Sequence, residues 1–193
     1  IILGGIDLSV GSVIALSGCV SAGCVLFYGL PVFVSMLIGV LVGVVIGAFN
    51  GLIISRTTIP SFIVTLATMN IARGLAKVYT GGNPLSVSDD GWKVIGAGRT
   101  FEIPNPIWVM IVVLVVFGIL INRTKFGRYI YAVGGNLRAA RFSNIKVPKI
   151  QFWVYTLSGF LSGLAGVIIA SRMYTGSPSA GEGAEMEAIA AVV

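Results

Sequence analysis

The chain alternates long apolar runs with short polar breaks, and the runs have the length of membrane spans. Residues 10–30 stay largely apolar from Val10 until Pro31 interrupts them. A second run covers 32–55 and stops at Arg56, and 106–122 and 151–171 supply two more. About 20 mostly apolar residues suffice for a helix to cross a bilayer. Residues 60–80 have the same length but carry Asn70, Arg73 and Lys77 in their second half. Residues 81–105 are rich in Gly, Pro, Ser, Asp and Asn, and 172–184 are small and polar. Both read as loops, the first with one short surface helix. A further helix is expected to start near Glu185. The pattern predicts an all-α, polytopic transmembrane helix bundle, with residues 1–193 forming one domain.

Composition removes the soluble alternative. Hydrophobic residues make up 56% of the chain and charged residues 10%, whereas a soluble domain carries about 25% charged residues. The mean hydropathy is +0.97. Such a chain cannot cover itself with polar surface, so lipid is the expected solvent. The 26 glycines suit close helix packing in a membrane better than a soluble helix.

Charge then orients the spans. Arg123, Lys125, Arg128, Arg138, Arg141, Lys146 and Lys149 lie between two apolar runs, with no acid among them. A basic loop of this kind marks the cytoplasmic side, so 123–149 is expected inside. Alternation puts 81–105 and 172–184 outside, where most acids also fall. The same clustering argues against nucleic acid as the partner of a net charge of +6.

Spacing carries further expectations. Gly39, Gly43, Gly47 and Gly51 recur every four residues, forming one stripe on a helix, and Gly159 and Gly163 repeat the device in the last span. Both stripes predict close helix packing. Gly4-Gly5 ahead of Asp7 is unusual for lipid. Asp7 suits the N-cap of a helix starting at Leu8. Two readings stand: a broken helix beside a translocation path, or a helix start at the membrane edge. Arg73 and Lys77 share a helix face, with Asn70 a turn before. They either line a path or snorkel to the outer interface. Cys19 and Cys24 read as small packing residues. No cluster of residues suits catalysis or a metal, and a zinc site has too few soft ligands.

The most specific stretch lies in the basic loop. Asn136 is a natural N-cap for a short helix over 137–143. Asn144 suits the left-handed turn that ends it, and Pro148 blocks continuation. The helix is expected to present Ala139 and Ala140 to a partner's cleft.

GGIDLSVGS at 4–12, IPSFIVTLATMNIARGLA at 59–76, FGRYIYAVGGNLRAARFSNIKV at 126–147 and SAGEGAEMEAIAAVV at 179–193 occur in this order. Together they resemble the permease subunits of bacterial monosaccharide ATP-binding-cassette importers of the ribose, xylose and galactose group, in the same superfamily as the branched-chain amino-acid permeases. The resemblance covers the whole chain and implies a multi-pass protein of the bacterial cytoplasmic membrane. It implies a second permease copy, cytoplasmic ATPase subunits that bind ATP and Mg, and a periplasmic sugar-binding protein. This chain itself would hold no cofactor. Gly134, Gly135, Asn136, Ala139, Ala140 and Arg141 match the segment that docks on the ATPase. Asn144 replaces a glycine frequent in the family. The family usually continues beyond residues 188–193, so a piece of a larger permease, truncated at both ends, is expected. A neutral sugar calls for hydroxyl and amide groups, so Ser9, Asn50, Thr65, Thr68 and Asn70 become pathway candidates, with Asp7 and Arg73 beside them. Two other transport readings remain: a permease for another small polar solute such as an amino acid, or an ion-coupled secondary transporter. Asp7 is the only acid that could lie deep, which disfavours the latter.

Overall fold

The computed structural model describes residues 1–192; the end of the last family motif, at Val193, lies outside the described residues. Three helices form the first half: α1 (Val10–Tyr28), α2 (Val32–Arg56) and α3 (Ser61–Thr80). A small cap follows, with β1 (Leu85–Ser86), α4 (Asp90–Gly96), β2 (Arg99–Thr100) and β3 (Ile103–Pro104). Then come α5 (Asn105–Arg123), α6 (Lys125–Gly135), α7 (Leu137–Phe142), α8 (Val147–Arg172), β4 (Thr175–Gly176) and α9 (Ala184–Ala190). Four of these, α1, α2, α5 and α8, are long and apolar enough to cross a membrane. Helix α3 has 20 residues but is too polar to join them. The strands are only two-residue ladders, β1 with β4 and β2 with β3, both antiparallel, so the chain is an all-α helix bundle.

Helix α1 is the centre. It packs against α2, α3 and α8, and Gly11 through Cys19 and Ser21 through Cys24 are all buried. A helix that is apolar all round belongs inside, and the small residues of α1 let three neighbours approach it. Cys19 and Cys24 are free and buried, as packing residues would be. Helices α2 and α8 meet along their glycines. A Cβ added at Gly43 would lie 2.7 Å from the Gly163 Cα, and one at Gly47 would lie 2.8 Å from the Gly159 Cα. Gly51 faces Phe152 and Gly39 faces Ser17, Ser21 and Val167. Backbone therefore touches backbone across this interface.

Several boundaries differ from the sequence expectation. Residues 123–149 hold, besides the expected short helix α7, a second helix, α6. Thr124 caps α6 by accepting from the Gly127 amide, and Asn136 caps α7 by accepting from the Ala139 amide. Asn144 takes φ 58°, the left-handed turn after α7. Helix α8 starts at Val147, four residues ahead of the apolar run at 151–171, with Pro148 in its first turn, where proline is tolerated. Within 81–105, the short helix α4 exposes Asp90, Gly91 and Val94 but anchors its other face in the core. Trp92 is fully buried against Ala22, Met36, Val167 and Ala170, and its indole donates to the Ala170 carbonyl at 3.3 Å.

The largest difference concerns 172–184. This segment does not leave the bundle. A Cβ at Gly176 would meet Gly18, Cys19 and Ala22, and one at Gly181 would meet Gly11 and Ile14. The chain thus runs back along α1, antiparallel to it, over a stretch of about 10 Å at 1.5 Å per residue.

Candidate functional site

Two non-helical segments enter the bundle, residues 5–9 and 175–181, and α3 is tied to both. Irregular backbone in an apolar interior must have its polar groups satisfied by protein or water. Helix α3 meets this need with a buried polar face. The Ile6 amide donates to the Ser61 hydroxyl at 3.2 Å and the Leu8 amide to the Thr65 hydroxyl at 3.1 Å. Further along, one guanidinium nitrogen of Arg73 donates to the Pro178 carbonyl at 2.8 Å and to the Ala180 carbonyl at 2.9 Å. Arg73 therefore neither snorkels outward nor shares its surroundings with Lys77, which is exposed. The segment's need for two donors draws the guanidinium inward.

A chain of hydrogen bonds crosses the bundle from α3 to α8. The Thr68 hydroxyl donates to the Asn50 carbonyl oxygen at 2.6 Å. The Asn50 amide donates to the Ser9 hydroxyl at 3.1 Å, and Ser9 donates to the Asp7 Oδ1 at 2.6 Å. The Ser9 backbone amide reaches the same oxygen at 3.0 Å. The other Asp7 oxygen accepts from the Ser158 hydroxyl at 2.8 Å. Four elements are joined this way: α3, α2, the entering segment and α8. Ser9, Asn50, Thr65 and Thr68 are all buried. Each hydroxyl and amide has a defined direction, and all of them point their hydrogens toward Asp7. Asp7 also lines a cavity of about 210 Å³ with Tyr155 and Ser158.

Asp7 departs from its expected role. It does not cap a helix at Leu8; α1 begins at Val10 with Ser9 as its N-cap, and the Asp7 carboxylate accepts from the Ser9 amide and hydroxyl instead. The structure brings together Asp7, Ser9, Asn50 and Thr68 in one chain, with Thr65 beside it. It does not bring in Asn70, which is exposed on the opposite face of α3 and whose amide donates to the Leu66 carbonyl of its own helix. Ser158 completes the chain and is not among the pathway candidates that the sequence suggests. No spacing links positions 7 and 158.

Helix α7 is also rearranged relative to expectation. Ala140 is not presented outward: it is buried against Val133, Val147, Leu3 and Ile145. Helix α7 has one side on the bundle, and position 140 falls on it. Gly134 packs against the Ile2 carbonyl, where a Cβ would not fit, whereas a Cβ at Gly135 would meet nothing. The free face carries Arg138, Ala139 and Phe142, while Arg141 lines a cavity between α7 and the bundle, and Phe142 is 92% exposed. Phe142 is a candidate that sequence reasoning missed. Its signal was an aromatic at the end of an otherwise polar, capped helix.

Residues 1–193 match the profile of a family described as branched-chain amino acid transport system / permease component. The chain belongs to this family. The family and the four apolar helices make it a multi-pass membrane protein. The chain is 46% identical over 195 residues to the ribose import permease protein RbsC of Bacillus subtilis (strain 168), covering 100% of this chain and 60% of that protein. It is 45% identical over 197 residues to the ribose import permease protein RbsC of Haemophilus influenzae, covering 100% of this chain and 61% of that one. The L-arabinose transport system permease protein AraH of Escherichia coli (strain K12) is 41% identical over 190 residues, covering 98% of this chain and 58% of that one. The chain thus spans about three-fifths of the length of these relatives. No solved structure matches it.

Proposed function

We propose that the whole protein is the membrane-spanning permease subunit of an ATP-binding-cassette importer in the bacterial cytoplasmic membrane, and that it forms the path for a monosaccharide. The observation that carries this reading is the identity of 41–46% to ribose and arabinose permeases across nearly all of the chain. The buried chain from Thr68 to Asp7 supports it, because hydroxyls and an amide suit a neutral polyol. Residues 123–149 face the cytoplasm in this reading, and 81–105 face outward. Helix α7 docks on cytoplasmic ATPase subunits, which bind and hydrolyse ATP with Mg. Its docking face is Arg138, Ala139 and Phe142. A second permease copy completes the path, and a periplasmic binding protein delivers the sugar. Alternating access then requires α2, α3, α8 and the entering segment to shift together or apart. The Asp7-centred chain joins those four elements and sets which shifts are allowed.

The test is uptake in cells lacking their own ribose and arabinose importers, supplied with the full-length permease and its cognate partners. Labelled ribose or arabinose is expected to enter in an ATP-dependent way that survives a protonophore. The family description favours a second reading, an amino-acid permease; leucine uptake without sugar uptake would establish that instead. Uptake that collapses with the proton gradient but not with ATP would indicate an ion-coupled transporter.

A further inference from the structure

A cavity of about 350 Å³ lies where α7, the start of α8, the α2–α3 turn and residues 3–5 meet. This is within the range of about 300–1,000 Å³ typical of small-molecule sites. Its lining carries one charged side chain, Arg141, and no Asp or Glu. Thr57, Thr58 and Ser61 contribute hydroxyls and Gln151 an amide. Tyr155 is 5% exposed. Its hydroxyl stands at the wall beside that of Ser61, with which it pairs. Arg141 forms no ion pair among the described residues. Helix α3 begins at this wall with Pro60 and Ser61 and has no side-chain cap, so its positive end lies at the same space. A guanidinium, a helix start and hydroxyls, with no acid in the lining, complement an oxyanion carried on a polar body. They do not complement a cation or an apolar chain.

We propose that this cavity binds a phosphate ester. Arg141 and the first turn of α3 hold the phosphate, and Thr57, Thr58, Gln151 and Tyr155 meet the alcohol part. The site is distinct from the Asp7-centred chain, but Gly5 and Tyr155 line both this cavity and the one that holds Asp7. An occupant therefore touches helix α7 and the segment anchored by Asp7 at once, and ties one to the other. A soluble sugar phosphate and an anionic phospholipid headgroup offer the same chemistry. The proposal concerns binding alone and stands whichever solute the permease carries.

The experiment uses the full-length permease with its partner subunits in phosphatidylcholine nanodiscs, titrated calorimetrically with glucose 6-phosphate and, as a phosphate-free control, glucose. Saturable binding of glucose 6-phosphate is expected, with none for glucose. Arg141→Gln is expected to weaken it at least tenfold and Thr58→Val about threefold. Arg99→Gln, outside the cavity and the docking face, is expected to leave it unchanged. Binding that disappears when phosphatidylglycerol is added to the discs supports the site with a lipid headgroup as its resident. Binding that persists there supports a soluble ester. Absence of saturable binding in phosphatidylcholine discs, or binding that survives Arg141→Gln, overturns the proposal. If Arg141→Gln does not fold, unchanged binding in Thr58→Val overturns it.

Discussion

Asn50 joins two hydroxyls that belong to different elements: it accepts from Thr68 and donates to Ser9. Leu at this position would keep the volume and remove both bonds. A buried polar group left unpaired costs about 1–3 kcal/mol, so Asn50→Leu is expected to lower the thermal midpoint of the purified permease and its transport rate. Asn50→Asp keeps the acceptor for Thr68 and loses the donor to Ser9, and should fall between. An unchanged midpoint in Asn50→Leu would show that the chain of bonds is not a stabilising feature. Asn50 and Thr68 were legible as candidates because polar residues inside apolar runs stand out. Ser158 was not, since a serine among glycines is also what close packing selects. Arg73 was legible as unusual, but its partners, the Pro178 and Ala180 carbonyls, lie more than a hundred positions away.

At the scale of elements, the α2–α8 seam and helix α7 make opposite demands on their small residues. In the seam there is no space: a Cβ at Gly159 would lie 2.7 Å from the Gly47 Cα. Overpacking typically costs about 1–3 kcal/mol. Gly159→Val is thus expected to destabilise the protein by at least that amount in a detergent melting curve. Gly118→Val in α5, where an added Cβ meets nothing within 4 Å, should be close to neutral. Equal effects would mean that the seam is looser than described. Helix α7 splits its residues between two faces. Phe142→Ala should leave folding intact, because the ring is 92% exposed, and should reduce sugar-stimulated ATPase activity and uptake several-fold. Ala140→Trp should instead lower expression and thermal midpoint, because Ala140 is buried against Val133 and Val147. Normal coupling in Phe142→Ala would remove Phe142 from the docking face.

For the whole molecule, the expected topology can be read by labelling. Cys19 and Cys24 are buried, so they form a quiet background for single reporters. With 81–105 outside and 123–149 inside, Asn83→Cys should react with a membrane-impermeant maleimide in intact cells. Ser143→Cys should react only after permeabilisation. The reverse pattern would invert the topology. Helix positions and cap residues such as Asn136 were readable along the chain, because apolar length and capping chemistry are local properties. Within 123–149 the caps reveal α7 but not α6 (Lys125–Gly135), since basic residues between two spans mark a side of the membrane and are equally compatible with a loop or a helix, Lys and Arg being good helix formers. The sequence by itself determined that this chain lives in lipid, where its long helices run, and which stripes pack. It also fixed the presence of a capped helix among the basic residues. Only the tertiary structure decided that 175–181 turns back along α1, that Arg73 holds it there, that Ala140 faces inward, and that Ser158 completes the chain to Asp7. The reason is physical. Periodicity and caps depend on neighbours within about a turn, whereas satisfying buried polar groups depends on what the fold brings beside them.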